Sequence, residues 1–320
     1  EKGQRTDIYY GNSSKTKYEY DNKTFRVKRI LTTRNTGIDI LQNICYFYDP
    51  IGNITEMRDD AQQTHYFNNT VILPTGTYTY DPLYRLINAT GRELASLASP
   101  TNEDFANNIG VPNPAANAMQ NYNHTYVFDE LGNMQSDNWK NYIYDTATNR
   151  LLKHDPNQTL DDYTYDAHGN MLTMPHLTSM VWNYKDELVS AGNGTFISYY
   201  SYDAQGNRSR KVVLKSNIRE ERYYVGDYEI YRKYVNDVLD TERSTIHIMD
   251  DRDRFVMIET ETGNTSIVRY QYNNHLGSAC LELDQNAAII SYEEYHPFGT
   301  TSYRSGRSET EVSLKRYKYC

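Results

Sequence analysis

The sequence predicts an all-β fold of stacked β-hairpins that join into one long, twisted sheet. Two observations carry this prediction. A short motif of tyrosine and aspartate recurs along most of the chain, and 32 of the 320 residues are tyrosine. Tyrosine forms strands readily, and it suits a sheet face that is only half dry because its hydroxyl group needs a polar partner.

The repeat reads Tyr-x-Tyr-Asp, then a few variable residues, then Gly-Asn or Asn-Arg, then an apolar residue. A pattern of this length that returns so often is typical of a repeat array, in which each unit buries its surface against its neighbours. A tyrosine-rich globular domain is the alternative, but it does not explain the recurrence. Copies begin at Tyr18, Tyr46, Tyr78, Tyr126, Tyr142, Tyr163 and Tyr200, and a degenerate copy begins at Trp182.

Each position of the motif has a physical role in a hairpin. Side chains alternate along a strand, so two tyrosines two residues apart lie on one face. The aspartate ends the strand because its carboxylate accepts backbone N–H groups at the start of a turn, and glycine or asparagine tolerates the positive φ of a tight reversal. The repeat residues predicted on this basis are Tyr18, Tyr20, Asp21, Tyr48, Asp49, Gly52, Asn53, Tyr80, Asp81, Tyr144, Asp145, Tyr165, Asp166, Gly169, Asn170, Tyr202, Asp203, Gly206 and Asn207.

A single hairpin is marginal in water, so we expect neighbouring hairpins to pair edge to edge and to stack their tyrosine rings into ladders. The hydrophobic residues make up 38% of the chain, and this figure already includes the tyrosines. Few aliphatic residues remain for a thick sandwich core. The composition therefore favours a sheet that lines a lumen with one face or exposes both faces to solvent.

Charge and cysteine content exclude several classes of function. The formal net charge is -9 and the basic residues are scattered, so we expect no nucleic-acid partner. No apolar run is long enough to span a bilayer. Cys45, Cys280 and Cys320 lie far apart, without the spacing of a metal or redox site, and are interpreted as small core residues.

No residue pattern predicts catalysis, a cofactor or a metal. His275 lies close to Ser278, but the Gly-x-Ser-x-Gly elbow is missing, so we interpret His275 as a structural residue that closes a turn. The eight histidines show no ligand spacing. The acidic pairs Asp59-Asp60 and Asp161-Asp162 lack the alternating oxygen ligands of a calcium loop and are interpreted as solvated turn residues.

The tyrosine–aspartate repeats resemble the RHS/YD-repeat family, which includes bacterial RHS proteins, the B and C components of insecticidal toxin complexes and animal teneurins. Residues 48–67, and the stretch YTYDPLYRLINATGRE that follows, resemble a segment of the toxin-complex B and C components. Residues 270–300 resemble the RHS core-associated sequence, and they depart from the family at His296, where a small or acidic residue often precedes Pro-Phe-Gly. The motif residues of this region are His275, Leu276, Gly277, Ser278, Pro297, Phe298 and Gly299.

The resemblance implies a long spiral β-sheet that forms part of a hollow cocoon. In toxin relatives the cocoon encloses a C-terminal toxic segment, which an aspartyl-type self-cleavage releases inside the shell. In this chain the cleavage site and the effector would lie beyond Cys320, so the chain itself is predicted not to be an enzyme. The implied partners are the remainder of its own chain and other toxin-complex subunits, in a secreted or extracellular setting. The alternative function is a cell-surface adhesion module of the teneurin-like or wall-associated type.

The repeat pattern divides the chain into four segments. Residues 1–92 and 122–269 hold YD repeats, the first set toxin-complex-like. Residues 93–121 form an irregular insertion rich in Pro, Ala and Asn, with a short helical turn predicted near residues 94–97. Residues 270–320 are the start of a truncated core-associated region. Both ends match parts of repeats, so we expect a piece of a longer protein with unpaired terminal strands.

Overall fold

A computed structural model describes residues 2–67, 69–95, 119–155, 162–250, 253–307, 315, 317 and 318. These residues are mostly in antiparallel strands joined by turns, with a short 3-10 turn at Asn35–Gly37. The predicted all-β class is confirmed. Of the predicted insertion, Leu94 ends a strand, Ala95 has 3-10 conformation, and residues 96–118, with the rest of the predicted helical turn, lie outside the described residues.

The first large sheet has eight strands in the order β1-β2-β3-β4-β5-β8-β9-β10, and β6 and β7 form a separate hairpin between β5 and β8. The sheet is a meander, because each strand pairs with the next strand of the sheet along the chain. The bounds are β1 (Asp7–Tyr9), β2 (Lys15–Tyr20), β3 (Val27–Arg34), β4 (Asp39–Tyr48), β5 (Ile54–Asp59), β6 (His65–Phe67), β7 (Thr70–Ile72), β8 (Thr75–Tyr80), β9 (Leu86–Leu94) and β10 (Met119–Thr125).

Three short hairpins and a twelve-stranded sheet in sequence order follow. The hairpins are β11 (Val127–Phe128) with β12 (Met134–Ser136), β13 (Ile143–Tyr144) with β14 (Leu151–Lys153), and β15 (Thr164–Tyr165) with β16 (Met171–Thr173). The sheet consists of β17 (Ser179–Trp182), β18 (Leu188–Gly192), β19 (Ile197–Tyr202), β20 (Arg208–Lys215), β21 (Ile218–Val225), β22 (Tyr228–Val235), β23 (Val238–Asp250), β24 (Asp253–Glu261), β25 (Ile267–Asn273), β26 (Ala279–Leu283), β27 (Ile289–Tyr295) and β28 (Thr301–Gly306).

The chain forms two compact units. The first joins residues 1–127 with residues 269–320, and the second holds residues 128–268. In the first unit the core-associated region therefore packs with the first repeats.

A β-bulge recurs at one position of the repeat. The strand register shifts immediately before the second aromatic residue of the motif, where the first strand of the hairpin ends. A bulge bends its strand and increases the local twist, so a regular series of bulges imposes the same extra twist on successive hairpins. The shifts precede Tyr20, Tyr48, Tyr80, Tyr144, Tyr165, Trp182 and Tyr202, and one in the core-associated region precedes Tyr295.

The apolar core of the first unit is made of small clusters. One groups Ile30, Ile44 and Tyr46, and a second groups Leu41 with tyrosines and leucines of β25 to β27. Between them the unit buries many charged groups, which need ion pairs or hydrogen bonds in a dry environment. Arg269 and Glu282, for example, are both fully buried and lie 3.5 Å apart.

Candidate functional site

The repeat aspartates cap the turns that follow them. In the turn from Asp49, Oδ1 accepts backbone N–H bonds from Ile51 at 3.0 Å and Asn53 at 2.9 Å, and Oδ2 accepts one from the Asn53 side chain at 2.8 Å. Backbone donation, led by Gly52, lowers the pKa of Asp49. The predicted bond to the residue two positions on is also present at Asp21, Asp81, Asp145, Asp166 and Asp203.

The turn glycines adopt the left-handed conformation that the hairpin interpretation predicts. The φ angles are 120° at Gly52, 96° at Gly169 and 82° at Gly206. Side chains with a Cβ rarely adopt this region, and β-branched ones least of all. Glycine adopts this conformation without strain, whereas the turn after Asp81 places Tyr84 at the equivalent position with φ 65°.

The second aromatic residue of most repeats links the repeat to the one before, except in the copy that begins at Tyr126, where Phe128 has no hydroxyl group. The Tyr48 hydroxyl donates a hydrogen bond to the carbonyl of Val27 at 2.7 Å, and Val27 lies on the return strand of the preceding hairpin. The structure corrects the start of the degenerate copy: Trp182 occupies its second aromatic position, with Asn183 in place of the aspartate, so the copy begins at Met180. The Trp182 indole N–H donates in the same way to the carbonyl of Met171 at 2.7 Å. The other pairs are Tyr20–Arg5, Tyr80–Ile54, Tyr144–Met134, Tyr165–Leu151, Tyr202–Leu188 and, in the core-associated region, Tyr295–Ala279.

These bonds, called here the tyrosine links, were not predicted from the sequence. The sequence indicated two tyrosines on one face and a need for hydroxyl partners, but not the carbonyl that accepts. The predicted ring-to-ring ladders along the repeats stay a prediction. Arginines of the turns add a further contact, since the Arg150 guanidinium lies 5.3 Å from the centre of the Tyr165 ring.

The first core-associated motif forms a closed turn. Asn274 Oδ1 accepts backbone N–H bonds from Leu276 at 2.9 Å and Ser278 at 3.1 Å. The backbone N–H of His275 donates to the Tyr46 hydroxyl at 3.2 Å, and the two rings meet edge to face at 4.8 Å. Burial lowers the pKa of His275 to about 4, so its imidazole is neutral at physiological pH. Asn274 closes the turn, and His275 packs it against a repeat strand.

The second core-associated motif forms a turn directly after β27. The backbone N–H of His296 donates to Thr300 at 2.8 Å, and that of Gly299, with φ 97°, donates back to His296 at 2.9 Å. The Phe298 ring packs edge to face on Tyr126 at 4.9 Å. Both core-associated turns thus contact aromatic residues of the first repeats.

A cavity of about 230 Å³ lies in the first unit between strands of the eight-stranded sheet and the core-associated turns. The Tyr292 hydroxyl lies 3.1 Å from Asp59 Oδ2 and 3.0 Å from Glu294 Oε1. The Arg92 guanidinium binds Glu294 with both ends, one contact being 3.0 Å from Nε to Oε2. Two carboxylates thus share one buried hydroxyl, and one of them carries the neutralising charge of an arginine.

Asp59 corrects the prediction that the acidic pairs are solvated. It is only 8% exposed, and its Oδ1 accepts backbone N–H bonds from Asn43 at 2.8 Å and Ala61 at 3.1 Å. Burial raises the pKa of Asp59. Asp60 is exposed and pairs with Arg58, as expected of a surface residue. Asp162 also departs from the prediction, because it is partly buried and lies 2.6 Å from His154 Nδ1, while Asp161 lies outside the described residues.

The two cysteines that the structure describes, Cys45 and Cys280, are free thiols. Cys280 is buried, and burial raises the pKa of its thiol to about 12, which makes it a poor nucleophile and agrees with the interpretation as a core residue. Cys45 is half-buried. Cys320 lies outside the described residues.

Three buried ligand-type residues converge in a place that sequence spacing did not predict. One ligand atom from each of Glu93, His124 and His296 lies within 4.8 Å of the others. They come from β9, from β10 and from the turn after β27, so their meeting depends on how the strands pack. The one sequence signal was His296 itself, which departs from the family pattern before Pro-Phe-Gly.

Comparison with known proteins gives toxin subunits. The chain is 28% identical to the toxin subunits YenC1 and YenC2 of Yersinia entomophaga over 99% of its residues. The structure superposes on a Tc holotoxin pore of Photorhabdus luminescens and on the TcdB2–TccC3 crystal structure, each with a TM-score of 0.86, at 30% and 29% identity over 99% of the chain. The predicted resemblance to toxin-complex RHS proteins is confirmed.

The chain matches only part of the length of these relatives. It spans 35% of YenC1, 36% of YenC2 and 16% of each of the two solved chains. No protein-family model matches it. Within the part of the chain that the structure describes, no helix is long and apolar enough to cross a membrane.

Proposed function

We propose that this RHS-repeat chain is a segment of the shell of a toxin-complex protein, and that the shell encloses a C-terminal effector segment. The observation that carries the proposal is the series of tyrosine links, because it joins most of the repeat hairpins to the one before by the same kind of bond. A wall built in this way extends by adding repeats and needs no thick apolar core. The match to toxin subunits over 99% of the chain supports this function over an adhesion module.

We propose further that the chain is not itself an enzyme. The repeat aspartates perform one local task many times, whereas a catalytic group acts at one place. His275 is packed on Tyr46 and is neutral, with a pKa lowered by burial. A self-cleaving site of the family type would lie after Cys320. The protein would act outside the producing cell, with other toxin-complex subunits and the remainder of its own chain as partners.

The four sequence segments, with boundaries at residues 92, 121 and 269, remain part of the proposal. The contacts of the core-associated turns with Tyr46 and Tyr126 support a closing role for residues 270–320. In this arrangement the core-associated region seals the wall against its own first repeats.

Protease protection tests encapsulation. The chain is expressed together with the residues that follow Cys320 in its gene and with a toxin-complex B-type subunit, and the assembly is treated with protease. We expect the segment after Cys320 to survive while a control segment fused outside the assembly is digested. Digestion of both segments at one rate in an intact assembly contradicts the proposal.

A further inference from the structure

We infer that Glu93, His124 and His296 form a binding site for Zn²⁺ or a similar borderline divalent transition metal. The three residues are 3%, 2% and 1% exposed, and their ligand atoms lie within 4.8 Å of one another. Imidazole and carboxylate are donors that zinc accepts in proteins, and two histidines with one glutamate make a known donor set for it. This site is independent of the shell function proposed above.

Packing holds the two imidazoles close to each other. The His124 and His296 ring centres are 4.9 Å apart, at an interplanar angle of 36°. The Tyr122 ring lies against both, at 4.6 Å from His124 and 4.8 Å from His296. Tyr122, on the same strand as His124, thus restrains both imidazole rings. The two rings are therefore already held in place before a metal binds.

Hydrogen bonds outside the cluster orient two of the ligands. His296 Nδ1 lies 2.8 Å from the Thr300 hydroxyl, which fixes the ring so that Nε2 faces Glu93 Oε2 at 3.0 Å. The other carboxylate oxygen, Glu93 Oε1, accepts a bond from the Gln120 side chain at 2.9 Å. Such outer contacts are what metal-binding histidines and carboxylates have around them, because they fix the ligand's direction.

The distances fit a metal after a small adjustment. Ligands that bind zinc at about 2.0–2.1 Å in a tetrahedron lie roughly 3.3 Å from one another. The 3.0 Å between His296 Nε2 and Glu93 Oε2 is close to this edge, and the metal would replace that hydrogen bond. The ligand nitrogen of His124 reaches the same separation from the other two ligand atoms if its ring moves by about 1.5 Å or less, which a rotation about a side-chain torsion supplies.

The charge of the cluster suits a divalent cation. One carboxylate and two imidazoles, which bind a metal in their neutral form, would face the cation, and a water molecule would complete the tetrahedron. Because Glu93 and His124 belong to the repeat sheet and His296 to the core-associated turn, the metal would act as a clamp between these two parts of the first unit.

Metal analysis tests the site. The chain is loaded with Zn²⁺, freed of excess metal by dialysis and analysed for zinc by mass spectrometry. We expect one zinc per chain, and binding at least about tenfold weaker in each of the variants His124→Gln and Glu93→Gln. The control His168→Gln, which replaces an exposed histidine of the second unit, should bind as the unchanged chain does.

Cobalt spectroscopy of the unchanged chain keeps the test valid if a variant fails to fold. Co²⁺ in this site should give the visible absorption of a tetrahedral site with nitrogen and oxygen ligands. A thiolate-to-cobalt band in the near ultraviolet would instead place the metal on a cysteine and overturn the inference. Absence of stoichiometric zinc in the unchanged chain, or unchanged zinc binding in a folded His124→Gln variant, would overturn it equally.

Discussion

At the scale of single residues, the Tyr or Trp that ends the first strand of most repeat hairpins does two things. Its ring covers part of the sheet, and its hydroxyl or indole N–H reaches a carbonyl of the preceding repeat. Tyr165, which donates to Leu151 at 2.8 Å and lies under Arg150, represents the set. The bond and the ring contribute separately to stability, so they can be removed separately.

Tyr165→Phe should lower the free energy of unfolding by about 1 kcal/mol, because it removes one hydrogen bond and leaves the Leu151 carbonyl without its donor. Tyr165→Ser should lower it by roughly 2–3 kcal/mol, since the ring is lost as well. Chemical denaturation measures both. Tyr184→Phe is the control: Tyr184 is 88% exposed, and a change below about 0.5 kcal/mol is expected there. Equal effects of Tyr165→Phe and Tyr184→Phe would contradict the tyrosine link.

The turn glycines give a second residue-scale prediction. Gly206 has φ 82°, and the space where a Cβ would stand is open, with Glu187 the nearest atom at 3.6 Å. The cost of a side chain is therefore backbone strain and not a clash. Gly206→Val should lower the free energy of unfolding by about 1 kcal/mol or more, and Gly206→Asn by clearly less, because asparagine tolerates this conformation. Equal destabilisation by Val and Asn, measured by thermal unfolding, would disprove the strain argument.

At the scale of elements, the hairpins were predictable because their signals are local. The motif places a strand, an aspartate cap and a left-handed turn residue within a few positions, and the structure has them in that order. The bulge before the second aromatic residue was not predictable in this way. Its presence depends on the pairing of two strands, and an extra residue on one of them leaves no mark in the alternation of side chains.

The aspartate caps predict an acid-sensitive array. Backbone donors lower the pKa of Asp49 and Asp203 in the folded chain, led by Gly52 and Asn207. A carboxyl group whose pKa is lower in the folded chain stabilises the folded state. This contribution is complete at pH values above the pKa of the unfolded chain, which is about 3.9 for aspartate. That contribution is lost as the pH falls through the folded pKa. The denaturant concentration at the midpoint of unfolding should therefore decrease as the pH is lowered from about 5 to about 2.

Matched variants assign this effect to the caps. Asp203→Asn should make the midpoint of unfolding less sensitive to acid, because one shifted carboxyl group is gone. Asp237→Asn also removes one negative charge, but from an exposed side chain that caps no repeat turn. This variant should therefore unfold with the same pH dependence as the unchanged chain. If both variants show the same pH profile, the caps are not the source of the acid sensitivity.

At the scale of the whole molecule, the sites that sequence reasoning missed are the ones built from distant segments. Glu93 and His296 meet across 203 positions, and Asp59 meets Tyr292 across 233. No spacing rule reaches so far, because the contact depends on the packing of the core-associated turns against the first repeats. The repeat pattern predicts the hairpins, and only the folded chain shows where residues 270–320 contact the earlier repeats.

The central claim is that this chain forms part of a closed wall around a C-terminal segment. Cryo-electron microscopy of the chain with the residues that follow Cys320, assembled with a toxin-complex B-type subunit, tests it most directly. We expect one continuous wall of hairpins around a lumen, with tyrosine links between successive repeats. Density for the segment that follows Cys320 should lie inside the lumen. A wall without a lumen, or a segment after Cys320 that lies outside the wall, would contradict the proposed encapsulation.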